Sequence, residues 1–92
     1  MHIYRNEFEI YKERLLKELS KTYRHVTITL IAQDFNDLIE DVFVTIRIDK
    51  LGLQKMLKYH TEVFNSLADF DRYIKISIDD GIKVMLHNYF YI

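Results

Sequence analysis

The sequence predicts an α+β fold, a two-layer α/β sandwich in which a four-stranded antiparallel sheet carries two helices on one face in the order α-β-β-α-β-β. Two stretches repeat apolar residues every three or four positions, which is typical of amphipathic helices. Each is followed by segments in which apolar and polar residues alternate, which is typical of half-buried strands. Proline is absent and glycine occurs twice in 92 residues, so we expect little irregular structure.

The first predicted unit, residues 1–48, is a helix followed by a hairpin. A helix over residues 3–24 places seven large side chains on one face: Tyr4, Phe8, Tyr11, Leu15, Leu16, Leu19 and Tyr23. From Val26 the apolar period changes to two, which predicts a strand. An acidic loop is expected over residues 33–40, and a second strand follows with Val42, Val44, Ile46 and Ile48 on one face.

The second predicted unit, residues 49–92, repeats this order. Asp49 is a plausible N-cap for a helix over residues 50–68. Strands are then expected around residues 74–78 and from Ile82 to about Tyr91. A three-residue loop of Asp79, Asp80 and Gly81 pairs Ile78 with Ile82 and keeps one face apolar, with glycine in the left-handed position.

The two units align at an offset of 48 residues. The segment R-H-V-T-I-T-L at 24–30 lies over R-Y-I-K-I-S-I at 72–78. Either the chain is a tandem duplication, or any two helix-then-strand segments share this pattern. In both cases each unit exposes an apolar face that it cannot bury alone, so we expect residues 1–92 to form one domain.

Composition narrows the function classes. The net charge is −1, from 14 acidic and 13 basic residues, which disfavours a polybasic nucleic-acid arm. Cysteine is absent, so we expect no disulfide, no thiolate nucleophile and a reducing cytoplasmic location. Residues 1–25 are mostly polar or charged, whereas a signal peptide has an apolar core, so we expect no signal peptide there. No apolar run approaches the roughly 18 residues that span a bilayer, so we expect no membrane partner.

Motifs for catalysis or metal binding are not found in the sequence. His2, His25, His60 and His87 lack metal-ligand spacing. With two distant glycines and no nucleophile elbow, a phosphate loop or a hydrolase site is not expected. The acidic loop offers oxygens for a hard cation such as calcium, although it lacks EF-hand spacing, and a solvated loop is the alternative. We therefore predict a protein that is not an enzyme and has no cofactor and no metal.

The outer face of the predicted sheet is unusually aromatic. Beside Ile31 it carries the residues predicted to bind a partner: Phe43, Arg47, Tyr73, Lys75, Lys83, Met85, His87, Tyr89 and Tyr91. So many apolar and aromatic side chains on one face favour a protein interface. One alternative is a nucleic-acid platform, in which the aromatics stack on bases. The others are side chains present only for their strand propensity and a small ligand held between the two halves.

The partner is expected to be another protein or a second copy of this chain. The C-terminal N-Y-F-Y-I would be an apolar edge strand, and pairing two such edges gives a C2 dimer. We predict a small protein-binding module that docks on or occludes a partner. A class-level association, and no residue of the chain, suggests the specific form of a phage or mobile-element inhibitor of a host defence protein, of the anti-CRISPR kind. The alternatives are a nucleic-acid-binding sheet and a structural homodimer.

Overall fold

A computed structural model describes residues 1–91 of the chain. Within these residues, helix α1 (Arg5–Thr22) is followed by strands β1 (Thr27–Phe35), β2 (Leu38–Ile48) and β3 (Leu53–His60), and then by helix α2 (Leu67–Tyr91). The strands form an antiparallel sheet in the order β1-β2-β3. The predicted four-stranded sheet with the order α-β-β-α-β-β is therefore wrong, and the observed order is α-β-β-β-α.

The first half of the chain follows the predicted elements, except at the loop. The helix and both strands are present, but β1 and β2 extend into residues 33–40 and leave a turn of two residues. Asn36 and Asp37 have φ values of 49° and 66°, and Phe35 pairs with Leu38 across them. Positive φ at both central residues is typical of a type I′ hairpin turn, whose twist matches that of the flanking strands.

Residues 50–68, predicted as a helix, contain β3 instead. Gly52 has a φ of 66°, and its N–H donates to the carbonyl of Asp49 at 3.1 Å. This tight turn sends the chain back along β2, and Leu53 pairs with Ile48. Leu, Gln, Lys and Met in β3 are good helix formers, but pairing with β2 overrides that weak preference.

Residues 74–91, predicted as a hairpin, lie within α2. Ser66 stands just before the helix, and its Oγ accepts a hydrogen bond from the N–H of Asp69 at 3.2 Å. Phe70, Ile74 and Ile78 recur at four-residue steps and are fully buried. Gly81, predicted to occupy a turn, is buried inside the helix beside Ile46.

The proposed duplication is not present in the structure. Residues 24–30 include the start of β1, whereas residues 72–78, which align with them, lie in α2. Residues 49–91 therefore do not form a second helix–hairpin unit. The similarity reflects a four-residue step between apolar residues, Val26 to Leu30 in the first half and Ile74 to Ile78 in the second, which both a strand and a helix place on one face.

The core lies between the sheet and the two helices, which pack on the same sheet face. Val42, Val44 and Ile46 of β2 are completely buried beneath the helices. The rings of Tyr11 in α1 and Phe70 in α2 meet edge-on, with centroids 6.0 Å apart. The two helices are therefore neighbours, and the opposite sheet face is left without a helical cover.

The two helices run parallel and are joined by polar contacts along their length. Tyr11 Oη donates to Asp71 at 2.9 Å, and Tyr23 Oη donates to Asp79 at 2.6 Å. Burial, with the Asp79 hydrogen bond as the next cause, raises the pKa of Tyr23 to about 12. In the described part of the chain, neither helix has the length and apolar character needed to cross a membrane.

Candidate partner-binding surface

The nine residues predicted to share one sheet face are divided between the sheet and α2. Phe43 and Arg47 lie on β2, with side chains on the face that the helices leave uncovered. The other seven belong to α2: Tyr73, Lys75, Lys83, Met85, His87, Tyr89 and Tyr91. The predicted surface, as a single face of one sheet, is therefore wrong, because it depended on strands that are in fact a helix.

Three of the α2 residues belong to the core or to ion pairs. Met85 is 8% exposed and belongs to the core. Lys75 Nζ lies 2.7 Å from Glu18 of α1 and 3.0 Å from Asp71, and these hydrogen bonds raise the pKa of Lys75. Lys83 pairs with Asp79 at 2.8 Å, one turn earlier in the helix. Met85 and Lys75 thus join α2 to the rest of the fold.

The remaining four α2 residues are exposed but separated along the helix. Tyr73 packs edge-on against Tyr59, with centroids 6.0 Å apart. His87 and Tyr91 stack near the end of α2, with ring centroids 5.0 Å apart. Tyr89 borders a shallow groove of about 330 Å³ between α2 and the start of β3. These side chains do not form one continuous patch with Phe43 and Arg47.

The uncovered sheet face carries three neighbouring apolar side chains, Ile31, Phe43 and Met56, which we call the apolar triad. Ile31 of β1 pairs directly with Phe43 of β2. Phe43 pairs with Lys58 of β3, so Met56, two residues earlier, is its diagonal neighbour. Ile31 and Met56 are 64% and 65% exposed. The triad crosses all three strands of the described sheet.

Polar and charged side chains surround the triad. Lys58 Nζ lies 5.5 Å from the centre of the Phe43 ring, within the range of a cation–π contact. At one end of the face, Arg47 pairs with Asp49 at 2.9 Å. At the other end, Asp41 Oδ1 lies 2.6 Å from Nδ1 of His60. An apolar centre with a rim of both charge signs is therefore present.

Met56 is the member of this surface that sequence reasoning missed, because it was assigned to the stripe of a helix. The signal was present in alternation: Leu57 and Tyr59 face the core, whereas Met56 and Lys58 face away. That period of two was hidden because β3 contains no β-branched residue, the type that usually marks a strand.

A cleft lies beside the His60–Asp41 pair, but the hydroxyl of Thr61 in its lining is not free to act as a nucleophile. The cleft has a volume of about 560 Å³ and is lined by the first residues of the chain, the start of β2 and residues 60–62. Thr61 is buried, and its hydroxyl lies 2.7 Å from the carbonyl of Ile39 and 3.1 Å from that of Glu40. The hydroxyl therefore bridges β2 and the segment after β3, which is a structural role.

The acidic residues around the hairpin turn and the start of β2 do not gather their carboxylates into a cation site. Asp34 pairs with Arg5 at 3.0 Å, and Asp41 pairs with His60. Among residues 1–91, no three His, Asp or Glu side chains are grouped so that they could hold a metal ion. These acidic residues instead join the hairpin to α1 and to the end of β3.

No protein-family profile, curated protein or solved structure matches this chain. The function is therefore argued from the chemistry of the surface.

Proposed function

We propose that this chain is a non-catalytic protein-binding module whose uncovered sheet face docks on or occludes a partner protein. The apolar triad is the observation that carries this proposal. An antiparallel sheet that faces water usually carries polar side chains on that side. Ile31 and Met56 are instead exposed there, with the half-buried Phe43 between them, and a group of neighbouring apolar side chains at the surface is typical of an interaction site.

The composition of the rim favours a protein over a nucleic acid. Of the cations on this face, Arg47 is already paired with Asp49 and Lys58 lies over the ring of Phe43. The acidic side chain of Asp41 lies on the same face, beside His60. A phosphate backbone would require cations that are free to replace its counterions. A protein interface typically has an apolar centre with aromatic residues and methionine, surrounded by a polar rim, and this arrangement matches it.

Docking by this face requires no chemistry beyond shape and surface complementarity. A mobile-element inhibitor that occludes a host defence protein is one specific form of such a module. We also place its action in the cytoplasm, since the chain has no cysteine and so no disulfide that an oxidising compartment would form. The face itself is about three strands wide, or roughly 10 Å between the outer strands, so the side chains at its centre should dominate affinity.

The test compares a variant of the triad with a matched variant elsewhere. Ile31→Thr with Met56→Thr removes two exposed apolar side chains from the face. Ile10→Thr removes one from α1, where Ile10 is 71% exposed outside the sheet. All three positions are exposed, so folding should be retained, and circular dichroism checks it. The wild-type chain is immobilised to capture a partner from a host extract, and the captured protein is then purified for calorimetry.

We expect the purified partner to bind the triad variant at least tenfold more weakly than the wild type, and to bind the Ile10 variant equally well. Equal affinity for the triad variant would contradict the proposal. So would binding of a single-stranded oligonucleotide, or a monomer–dimer equilibrium, that the triad variant alone abolishes. Those two results would assign the face to a nucleic acid or to a second copy of the chain.

A further inference from the structure

The outer side of α2 carries a stripe of exposed side chains that neither α1 nor the sheet covers. Ile74 and Ile78 face the core and are buried, and Lys75 pairs with Glu18 of α1. The exposed residues recur at steps of three and four, which place them on one side of the helix. This α2 stripe consists of Tyr73, Ile76, Asp80, Val84, His87 and Tyr91.

The α2 stripe is aromatic at both ends and charged in the middle. Tyr73 at one end is exposed, and so is Tyr91 at the other end, with Phe90 exposed beside it. Asp80, near the middle, makes no ion pair among residues 1–91. Lys83 lies on the flank of the stripe, three residues further along the helix. The same surface therefore carries matching ends and both charge signs between them.

A shallow groove beside the first part of the stripe can receive an aromatic ring. It has a volume of about 410 Å³ and is lined in part by Val63, Tyr73 and Ile76. A cavity of about 150 Å³ is already large enough to hold benzene. The rings of Phe90 and Tyr91 project from the same stripe, about five helical turns from the groove. They cannot reach the groove of their own chain, whereas those of a second copy can.

We propose that two copies of the chain pair through the α2 stripe, with their α2 helices antiparallel around a two-fold axis at the level of Ile82. At this register, Tyr91 of each copy lies opposite Tyr73 of the other, beside the groove. Val84 of each copy lies opposite Asp80 of the other. Every contact occurs twice, so the pairing closes as a dimer and recruits no third copy. The pairing does not rest on the proposed function, because it uses a surface other than the uncovered sheet face.

The charges in the middle of the stripe decide the direction of the pairing. In the antiparallel arrangement, Asp80 of each copy lies within one residue of the level of Lys83 of the other. In a parallel arrangement, Asp80 would face Asp80 and Lys83 would face Lys83, which like charges disfavour. Lys83 also pairs with Asp79 at 2.8 Å, and an ammonium group has three donors, enough for both carboxylates. Lys55, beside Gly81, balances the second carboxylate of each copy.

The exposed area of the stripe is sufficient for a weak dimer. A fully buried aromatic side chain hides about 150–250 Å². Tyr73, Phe90 and Tyr91 are 54%, 64% and 77% exposed, so together they offer about 400 Å² per copy. With Ile76 and Val84 added, pairing would bury roughly 1,000 Å² over both copies, the lower end of specific interfaces. We therefore expect a dissociation constant of about 10–100 μM.

A membrane surface and an unrelated protein fit the stripe less well than a second copy. A helix that lies on a membrane usually carries lysine and arginine beside its apolar side chains, and residues 84–91 contain neither. An unrelated protein would have to supply both a ring for the groove and a site for Phe90 and Tyr91. A second copy supplies both through symmetry.

The test measures the self-association of the full chain by sedimentation up to millimolar concentration. Ile76→Lys places a charge on the stripe, and Ile10→Lys places the same charge on α1, where Ile10 is equally exposed to solvent. Substitutions at exposed positions should leave folding intact, and circular dichroism checks this. We expect a dimer of the wild type, at least tenfold weaker pairing of the Ile76 variant, and pairing of the Ile10 variant within twofold of the wild type.

A reversal of charge tests the register. Asp80→Lys alone would bring positive charges together at the centre and should weaken pairing at least fivefold. Asp80→Lys combined with Lys83→Asp in the same chain exchanges both signs and should restore pairing to within threefold of the wild type. Weaker pairing that the second substitution does not restore would overturn the antiparallel register.

The direction of the helices is tested with single introduced cysteines, since the chain has none of its own. Lys83→Cys places the two thiols near the two-fold axis, where a short bismaleimide can join them. Arg72→Cys places them roughly 30 Å apart along the helices, so the same reagent should not join them. Cross-linking of the Arg72 variant in preference to the Lys83 variant would overturn the antiparallel arrangement.

Three further results would overturn the inference. One is a wild-type chain that remains monomeric at millimolar concentration, and another is a dimer that Ile76→Lys leaves intact. The third is binding to anionic lipid vesicles that Ile76→Lys abolishes in a chain that stays monomeric, which would assign the stripe to a membrane. Ile31→Thr with Met56→Thr should leave the dimer unchanged, so loss of partner binding in that variant tests the proposed function alone.

Discussion

Replacing Gly81 with alanine distinguishes the observed helix from the hairpin that the sequence suggested. Within a helix, alanine is favoured over glycine by about 1 kcal/mol. In a turn with a left-handed residue at that position, alanine is disfavoured by about 1–2 kcal/mol. The sign of the change in the free energy of unfolding therefore reports the local backbone conformation.

The surroundings of Gly81 set the size of the effect. A Cβ there would lie 3.3 Å from Cδ1 of Ile46 and 3.5 Å from Cδ of Lys55. The first distance is tight, but both atoms belong to side chains that can shift by a few tenths of an ångström. This contact offsets part of the gain in helix propensity. We therefore expect Gly81→Ala to raise the free energy of unfolding by about 0–1 kcal/mol.

Gly52 provides the matched control. Its φ is +66°, and nothing lies within 4 Å of a Cβ built there. Gly52→Ala should therefore lower the free energy of unfolding by about 1–2 kcal/mol, because alanine disfavours this backbone conformation. Urea unfolding followed by circular dichroism measures both variants. In thermal melts, about 1 kcal/mol corresponds to roughly 4–8 °C in Tm for a domain of this size.

A double-mutant comparison identifies the contact that opposes alanine. Ile46→Val removes the Cδ1 methyl and costs about 0.5–1.5 kcal/mol by itself. In that background Gly81→Ala should be more favourable than in the wild type, because the close contact is gone. If Gly81→Ala is as destabilising as Gly52→Ala, and the Ile46→Val background recovers nothing, the helical assignment at Gly81 is refuted.

Three further predictions concern stability. Phe70→Ala removes a completely buried ring and should cost about 3–5 kcal/mol in urea unfolding; a loss below about 1 kcal/mol would show that the site is not packed as described. Thr61→Val removes the buried donor to Ile39 and should cost about 1–3 kcal/mol, whereas Thr61→Ser should keep the bond and cost less. Because the pKa of Tyr23 is raised from 10.0 to about 12, the stabilisation by its neutral form is present below pH 10 and is lost as the pH rises to 12. Tyr23→Phe should therefore lose less stability than the wild type between about pH 10 and pH 12, and equal losses would contradict this.

In the elements that sequence analysis predicted well, the spacing of apolar residues fits only one type of secondary structure. In α1, the step from Phe8 to Tyr11 to Leu15 fits a helix and cannot place these side chains on one face of a strand. In β2, Val42, Val44 and Ile46 alternate with polar or aromatic residues and are β-branched, so propensity and period agree. Phe43 and Arg47 were for the same reason placed correctly on the uncovered face.

In the second half of the chain, the spacing of apolar residues fits both a strand and a helix. Ile74 and Ile78 lie on one face of both a strand and a helix, because a separation of four suits both periods. The D-D-G sequence before Ile82 then favoured a turn. Ser66 with Asp69 three residues later was the available sign that a helix begins there. Weighing that cap above the turn signal would have given α2, and with it a strand before it.

The parallel arrangement of α1 and α2 brings the partial positive charges of both helix N-termini to the same end of the sheet. Each helix dipole is equivalent to about half a charge at its two ends, and parallel dipoles add instead of cancelling. Glu7 and Asp69 lie in the first turns, and Lys21 lies in the last turn of α1. Each of these side chains carries the sign opposite to the dipole end beside it, so it offsets the summed dipoles and stabilises its helix. Raising the salt concentration screens these exposed charges and should weaken that stabilisation.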